Sequence, residues 1–194
     1  IFGGVTGRNT GTVAVITLTS MPVIDATKSK LTVGGAVGAN EAIITQIVAK
    51  DLKFAKFSGY RYLGGITGTN GGSGKTTAGV SDCVYSGTMT EKTGAAGNCY
   101  GGIAGINYAT LSGCEITKIT MEIKGVYTAT STSTAAQKES LASHAGGITG
   151  KNETSATITS CVIDNNPDSR IRADYGMLGG VTGFNKGTIT MSGS

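Results

Sequence analysis

A chain of 194 residues with 32 glycines, two prolines, no tryptophan and only 14% charged residues is wrong in composition for collagen or a helical bundle, and suits short strands joined by tight turns. Its hydrophobic fraction of 39% is too high for a disordered chain, and no run approaches the roughly 20 apolar residues that span a bilayer. The net charge of +4 gathers near the start, where residues 1–75 hold eight Lys and Arg against three acids, while the remainder holds eight against nine. With no basic helix, zinc finger or other nucleic-acid signature beside it, this excess reads as a solvated face.

The first element in the chain sets the pattern for the rest. Gly3-Gly4-Val5-Thr6-Gly7-Arg8-Asn9 has the form Gly-Gly, apolar, any, Gly, any, Asn, and the same form begins again at Gly34, Gly64, Gly101, Gly146 and Gly179. The spacings are 31, 30, 37, 45 and 33 residues, so the sequence predicts one repeating domain over residues 1–194. After Asn9, positions four, seven and nine are Val13, Ile16 and Leu18; after Asn40 they are Ile44, Ile47 and Ala49. Apolar residues two apart in short Val-, Ile- and Thr-rich segments predict strands, and helical spacing is not sustained in any repeat. The expected fold is all-β: a parallel β-solenoid, or β-helix, of about six rungs, right-handed by the bias of parallel crossovers. The spaced leucines of leucine-rich repeats are absent.

Between the second and third copies lies the stretch Lys53-Phe54-Ala55-Lys56-Phe57-Ser58-Gly59-Tyr60-Arg61-Tyr62, with four aromatics and three cations in ten residues. Strand alternation turns some of these inward, Phe54 and Phe57 first, but Lys53, Lys56, Tyr60, Arg61 and Tyr62 can form a sugar-stacking or protein-binding edge. Tyr100 and Tyr108, near the equivalent turns of later rungs, would extend it, as would Tyr127 and Tyr175.

The third repeat carries an insertion at about 71–77, after which Val80, Cys83 and Tyr85 resume the columns. Its Gly74-Lys75-Thr76 resembles a phosphate loop, but Thr69 stands where the first glycine of that motif belongs. The fourth repeat continues with Leu111, Cys114 and Ile116, and the fifth with Ile158, Cys161 and Ile163. Cys83, Cys114 and Cys161 thus occupy one inward column, as small apolar residues rather than zinc ligands. Cys99 lies outside it. A second insertion at about 128–143, rich in Ser, Thr and Ala, predicts a protruding loop with a short helical turn around residues 135–141. His144, the only histidine, follows it.

Inside the motif, Val5, Ala36, Ile66, Ile103, Ile148 and Val181 should point inward. The glycines should serve positive φ or close backbone approach, and the Asn column should bond turn backbone and its own neighbours. A catalytic residue is not needed once per rung. One histidine excludes a two-histidine metal site, no nucleophile elbow frames a serine, and Asp164 and Asp168 flank Pro167 as turn residues. The Gly-Gly-x-Gly-x-Asp calcium repeat is not matched. No catalytic residue, cofactor or metal is therefore expected. Thr157/Thr159 and Thr188/Thr190 form Thr-x-Thr pairs of the kind that would suit an ice-binding face, without matching pairs in the other rungs.

The copies Gly-Gly-Ile-Thr-Gly-Thr-Asn (64–70), Gly-Gly-Ile-Ala-Gly-Ile-Asn (101–107) and Gly-Gly-Ile-Thr-Gly-Lys-Asn (146–152), each followed by a strand with Cys, resemble GLUG-type repeats. Such repeats occur in large secreted or surface-anchored bacterial proteins, including adhesins and immunoglobulin A peptidases of the metallopeptidase type. The resemblance implies a bacterial, secreted or cell-surface setting. The expected role is a non-catalytic spacer, adhesion or ligand-presenting module, or a carbohydrate-binding module with a tyrosine-lined face. Expected partners are a glycan or host protein and flanking domains or further repeats of the same polypeptide, with no nucleic acid and no membrane insertion. The zinc motif His-Glu-x-x-His of the peptidases is absent, so no catalytic residue carries over. Neither end shows a signal peptide or a capping sequence, which leads us to expect a fragment of a longer protein.

Overall fold

In the computed structural model the alternating Val, Ile and Thr segments stack in parallel, each strand bonding to its equivalent one repeat away. The structure describes residues 1–20, 31–58, 60–72, 77–126, 130–164 and 166–191, the side chains of 55–58 and 60 excepted. The expected parallel β-solenoid is present, about five turns separating the first and last copies of the motif.

Each turn contributes to three sheets. The first holds Phe2–Gly3, Leu31–Gly34, Tyr60–Gly64, Cys99–Gly101, His144–Gly146 and Met177–Gly179. The second holds Thr6–Asn9, Val37–Asn40, Thr67–Asn70, Ala104–Asn107, Thr149–Asn152 and Thr182–Asn185. The third is built from the strands after each Asn, among them Thr12–Leu18, the long Ile43–Ser58, Val84–Thr93 and Glu115–Ile123.

The motif glycines serve close approach rather than positive φ. A Cβ on Gly105 would lie 2.6 Å from the Leu63 nitrogen of the first sheet, and one on Gly150 would lie 2.4 Å from that of Tyr100. Both are far inside ordinary contact, so only glycine lets the second sheet fold back onto the first. Left-handed backbone recurs at one equivalent bend of the third sheet, where Val15, Gln46, Asp82, Gly113 and Ser160 have φ of 55°, 55°, 52°, 58° and 51°; Asp51 and Ser155, at 53° and 69°, add it outside that bend.

The columns fall as the repeat predicts. Ala36, Ile66, Ile103 and Ile148 are fully buried, while Val5 in the first rung is 44% exposed. Cys83, Cys114 and Cys161 are buried free thiols in the same core. Each motif Asn donates to the carboxamide oxygen of the next, from Asn9 through Asn40, Asn70, Asn107 and Asn152 to Asn185, at 2.8 to 2.9 Å. This ladder also closes the turn into the third sheet, since Asn107 accepts from the Ala109 N–H and donates to the Ala109 carbonyl.

On the outer face of the third sheet no other rung has a Thr-x-Thr pair, as the sequence reads, but hydroxyls continue the two columns. Strand register places Thr12, Ile43, Gly79, Thr110, Thr157 and Thr188 in one column, and Ala14, Thr45, Ser81, Ser112, Thr159 and Thr190 in the next. The hydroxyls of Thr157/Thr159 and Thr188/Thr190 therefore extend into earlier rungs. Some bond along the column, as Ser81 does to Thr45 at 2.9 Å. Serine takes the second position in the third and fourth rungs, and Ile43, Gly79 and Ala14 carry no hydroxyl.

The second insertion does form a helix, Ala135–Leu141, started by a reciprocal capping box between Thr134 and Gln137. It does not simply protrude. Glu139 pairs with Lys151 at 3.0 Å and with Lys186 at 2.7 Å, drawing the helix against the second sheet, and the Gly97 N–H bonds to the Leu141 carbonyl. Among the described residues no helix is long and apolar enough to cross a membrane.

Candidate functional site

Side chains two residues before each Gly pair face away from the core, and those one residue before face into it. Register aligns Thr32, Tyr62, Cys99, His144 and Met177 in the outer column, and Val33, Leu63, Tyr100, Ala145 and Leu178 in the inner one. Tyr100 is consequently fully buried, which removes it from any exposed tyrosine edge. Its hydroxyl donates instead to the buried Glu91 at 2.7 Å. Glu91 also accepts the backbone N–H groups of Lys124 and Gly125 at 2.9 and 3.2 Å, so this buried carboxylate ties Tyr100 to the turn after Ile123.

The outer column of the first sheet meets the outer column of the second, which contains Ile106, Lys151 and Phe184. The helix closes one side. Together they form a recess of about 200 Å³ whose polar lining comes from Arg61, Tyr62, Tyr108, Lys151, Glu139 and Glu153. Three of the residues read from the sequence, Arg61, Tyr62 and Tyr108, meet here. Lys53 is exposed on the third sheet and does not line the recess, and the side chains of Lys56 and Tyr60 lie outside the described set. Phe54 is buried, as alternation requires, and Tyr175, 61% exposed, lies apart from the recess. Tyr127 falls outside the described residues.

Charge in the recess is arranged as a chain. Lys151 bridges Glu139 at 3.0 Å and Glu153 at 2.5 Å, and Lys186 adds a second cation to Glu139. Burial pulls the Lys151 ammonium down, but its bonds to Glu153 and Glu139 outweigh this and hold it above its ordinary value. Burial raises Tyr62 and pushes Tyr108 up to about 12, so both are neutral phenols. The Arg61 guanidinium lies 5.2 Å from the Tyr62 ring centroid, a cation–π distance, and forms no ion pair among the described residues.

Cys99 and His144 form the floor, with Sγ 3.7 Å from Nδ1. The pair looks like a nucleophile and its base, but the electrostatics run the other way. Burial pushes the thiol up to about 12 and the imidazole down to about 4, so both are neutral near pH 7. An activated cysteine needs the opposite shifts. His144 Nε2 is buried and has no hydrogen-bond partner among the described residues, while its ring rests 5.4 Å from that of Phe184.

A larger hollow of about 410 Å³, lined by Ile119, Ile163, Ile171 and Leu178 with Arg170 at its rim, is continuous with the apolar core of the last turns and offers few polar groups. Asp168, weighed as a turn acid, pairs with Lys118 at 2.8 Å. The described residues contain no cluster of three or more metal-ligating side chains.

Sequence reasoning missed Glu139, Lys151, Glu153, Cys99 and His144. For Cys99 and His144 a signal existed, because each stands two residues before its Gly pair, the offset of Tyr62. No family model, no curated protein and no solved structure matches the chain.

Proposed function

We propose that the protein is a non-catalytic β-solenoid module of a bacterial secreted or surface protein, in which a rigid stack of rungs presents a glycan-binding recess. The observation that carries this reading is the convergence of Arg61, Tyr62 and Tyr108 with the Glu139–Lys151–Glu153 chain in one polar recess. Alternating carboxylates and ammonium groups suit sugar hydroxyls, each of which donates and accepts. At about 200 Å³ the recess is smaller than the roughly 300–1,000 Å³ of sites that enclose whole drug-sized ligands, and suits one unit at the end of a chain. A single recess replaces the row of tyrosines, since Tyr100 is inside the core. The neutral Cys99–His144 pair supports a role without turnover, and the resemblance to GLUG-type repeats supports the bacterial surface setting.

A glycan array probed with the 194-residue protein should show binding that is lost in Tyr108→Ala and Glu153→Gln. Hydrolysis of any bound glycan, abolished by a point substitution in the recess, would overturn the non-catalytic reading. An array without signal would overturn the glycan reading.

A second reading follows from the two hydroxyl columns on the third sheet. Strands about 4.8 Å apart, with successive outward residues of one strand roughly 6.6 Å apart, set the hydroxyls in a regular two-dimensional array that would order water. Ile43, Gly79 and Ala14 interrupt it. Thermal hysteresis abolished by Thr157→Tyr would favour this face, and its absence would exclude it.

A further inference from the structure

The charged lining of the recess is balanced, Arg61 and Lys151 against Glu139 and Glu153, and Lys186, which pairs with Glu139 from outside the lining, tips the local sum to one cation in excess. Lys151 and Lys186 are matched by Glu139 and Glu153, which leaves Arg61 without an ion-pair partner among the described residues. Its guanidinium is exposed at the edge, held over Tyr62, with the planar fork of donors that fits a carboxylate. A compact free anion gains little deeper in, because Glu139 and Glu153 would repel it. A ligand that combines a carboxylate with neighbouring hydroxyls satisfies both zones at once.

We propose that the recess recognises the terminal unit of an acidic sugar chain, with the carboxylate on Arg61 and the ring hydroxyls on Glu153, Lys151 and Glu139. The proposal rests on the glycan reading of this recess and adds the charge of the sugar to it. His144 has a place in this arrangement. Its Nε2 is buried and has no hydrogen-bond partner among the described residues, so the ring is the dry floor under the ligand and senses its arrival without bonding to it.

The chain has only one histidine, so its imidazole signals report on the recess without overlap. The test is an NMR titration of the full 194-residue protein with methyl β-D-glucuronide, methyl β-D-glucoside, sodium acetate and inorganic phosphate as separate probes. The glucuronide should shift the His144 signals and saturate at a concentration about tenfold lower than the glucoside, the ratio that one well-placed charged contact supplies. Arg61→Gln should weaken the glucuronide about tenfold more than it weakens the glucoside and so remove that ratio, while Glu153→Gln should weaken both sugars alike. Arg61 is exposed, so its replacement leaves the fold intact, which an unchanged amide spectrum away from the recess verifies.

Equal binding of glucuronide and glucoside, or a preference that survives Arg61→Gln, would overturn the acidic-sugar inference and leave the glycan reading standing. If acetate or phosphate matches the glucuronide, the recess is a simple anion site and the inference fails. If neither sugar shifts His144 or any recess amide, both readings fail together.

Discussion

The side-chain amide of Asn107 donates to the carboxamide oxygen of Asn152 at 2.8 Å, in the middle of a ladder in which every amide points toward the next rung. Asn107 is fully buried, and it also accepts the Ala109 N–H, donates to the Ala109 carbonyl and receives the Asn70 amide. Asn107→Ala therefore leaves several buried polar groups unpaired at once. Each costs about 1–3 kcal/mol, so the variant should lose at least about 3 kcal/mol in chemical denaturation. Asn185→Ala, at an exposed position, should lose about 1 kcal/mol or less. Equal losses at the two positions would refute the ladder as a buried network.

The recurrent left-handed bend makes a second comparison. Gln46 is exposed and holds φ of 55°, a conformation that costs an L-residue roughly 1–2 kcal/mol and glycine nothing. Glycine's greater freedom in the unfolded chain offsets part of the gain, so Gln46→Gly should stabilise by about 0.5–1 kcal/mol. Gly113→Ala at the equivalent bend, with φ of 58° and a new Cβ 2.6 Å from the Asp82 carboxylate, should destabilise by about 1–2 kcal/mol. Thermal melts of the two variants give opposite shifts if the bend is set by backbone conformation.

The fold was legible because a solenoid repeats its instructions. The Asn column, the inward Ile and Cys columns and the glycines recur at fixed offsets, and each offset has one physical meaning on every rung. The recess was legible only in part. Arg61, Tyr62 and Tyr108 stood out by residue type, yet residue type misplaced Tyr100, which is set one position nearer its Gly pair and so on the opposite face of the strand. Had parity been read before chemistry, Cys99 and His144 would have joined Tyr62. Glu139 was out of reach, because its position depends on how an insertion without a counterpart in other rungs folds back. The hydroxyl columns needed register, which differs from linear spacing wherever an insertion intervenes.

Two buried tyrosines should respond in opposite ways to loss of the hydroxyl. Tyr100 donates to Glu91 and accepts from Asn98 at 2.8 Å, so Tyr100→Phe removes bonds to a buried carboxylate and should cost about 1–3 kcal/mol. The hydroxyl of Tyr85 is buried without a partner among the described residues, and burial raises its ionisation far above the ordinary range. Tyr85→Phe deletes an unsatisfied group and keeps the ring, so it should be neutral or stabilising by about 1 kcal/mol. A loss in Tyr85→Phe comparable to that in Tyr100→Phe would show that the hydroxyl bonds to a buried water.

His144 ties stability to pH. Burial, with a further push from Lys151, lowers its pKa from the ordinary 6.5 to about 4 in the folded protein. Above pH 6.5 the imidazole is neutral in both folded and unfolded chains and contributes no pH dependence. Between 6.5 and 4 the unfolded chain binds a proton that the folded chain refuses, so stability falls as pH falls, at up to about 1.4 kcal/mol per pH unit. Below about 4 both states are protonated and this contribution levels off. Glu139, held below its ordinary value against burial by Lys186 and Lys151, loses its stabilising contribution only as pH falls through the carboxylate range. The two are separated by His144→Phe, which keeps an aromatic ring against Phe184 and cannot titrate. Urea denaturation of both proteins between pH 7 and 5 should show the wild type losing stability more steeply, by close to one proton, and the single histidine should titrate by NMR with a midpoint near 4. Parallel stability curves, or a midpoint near 6.5, would mean that the recess admits solvent to the imidazole and that His144 is not its dry floor.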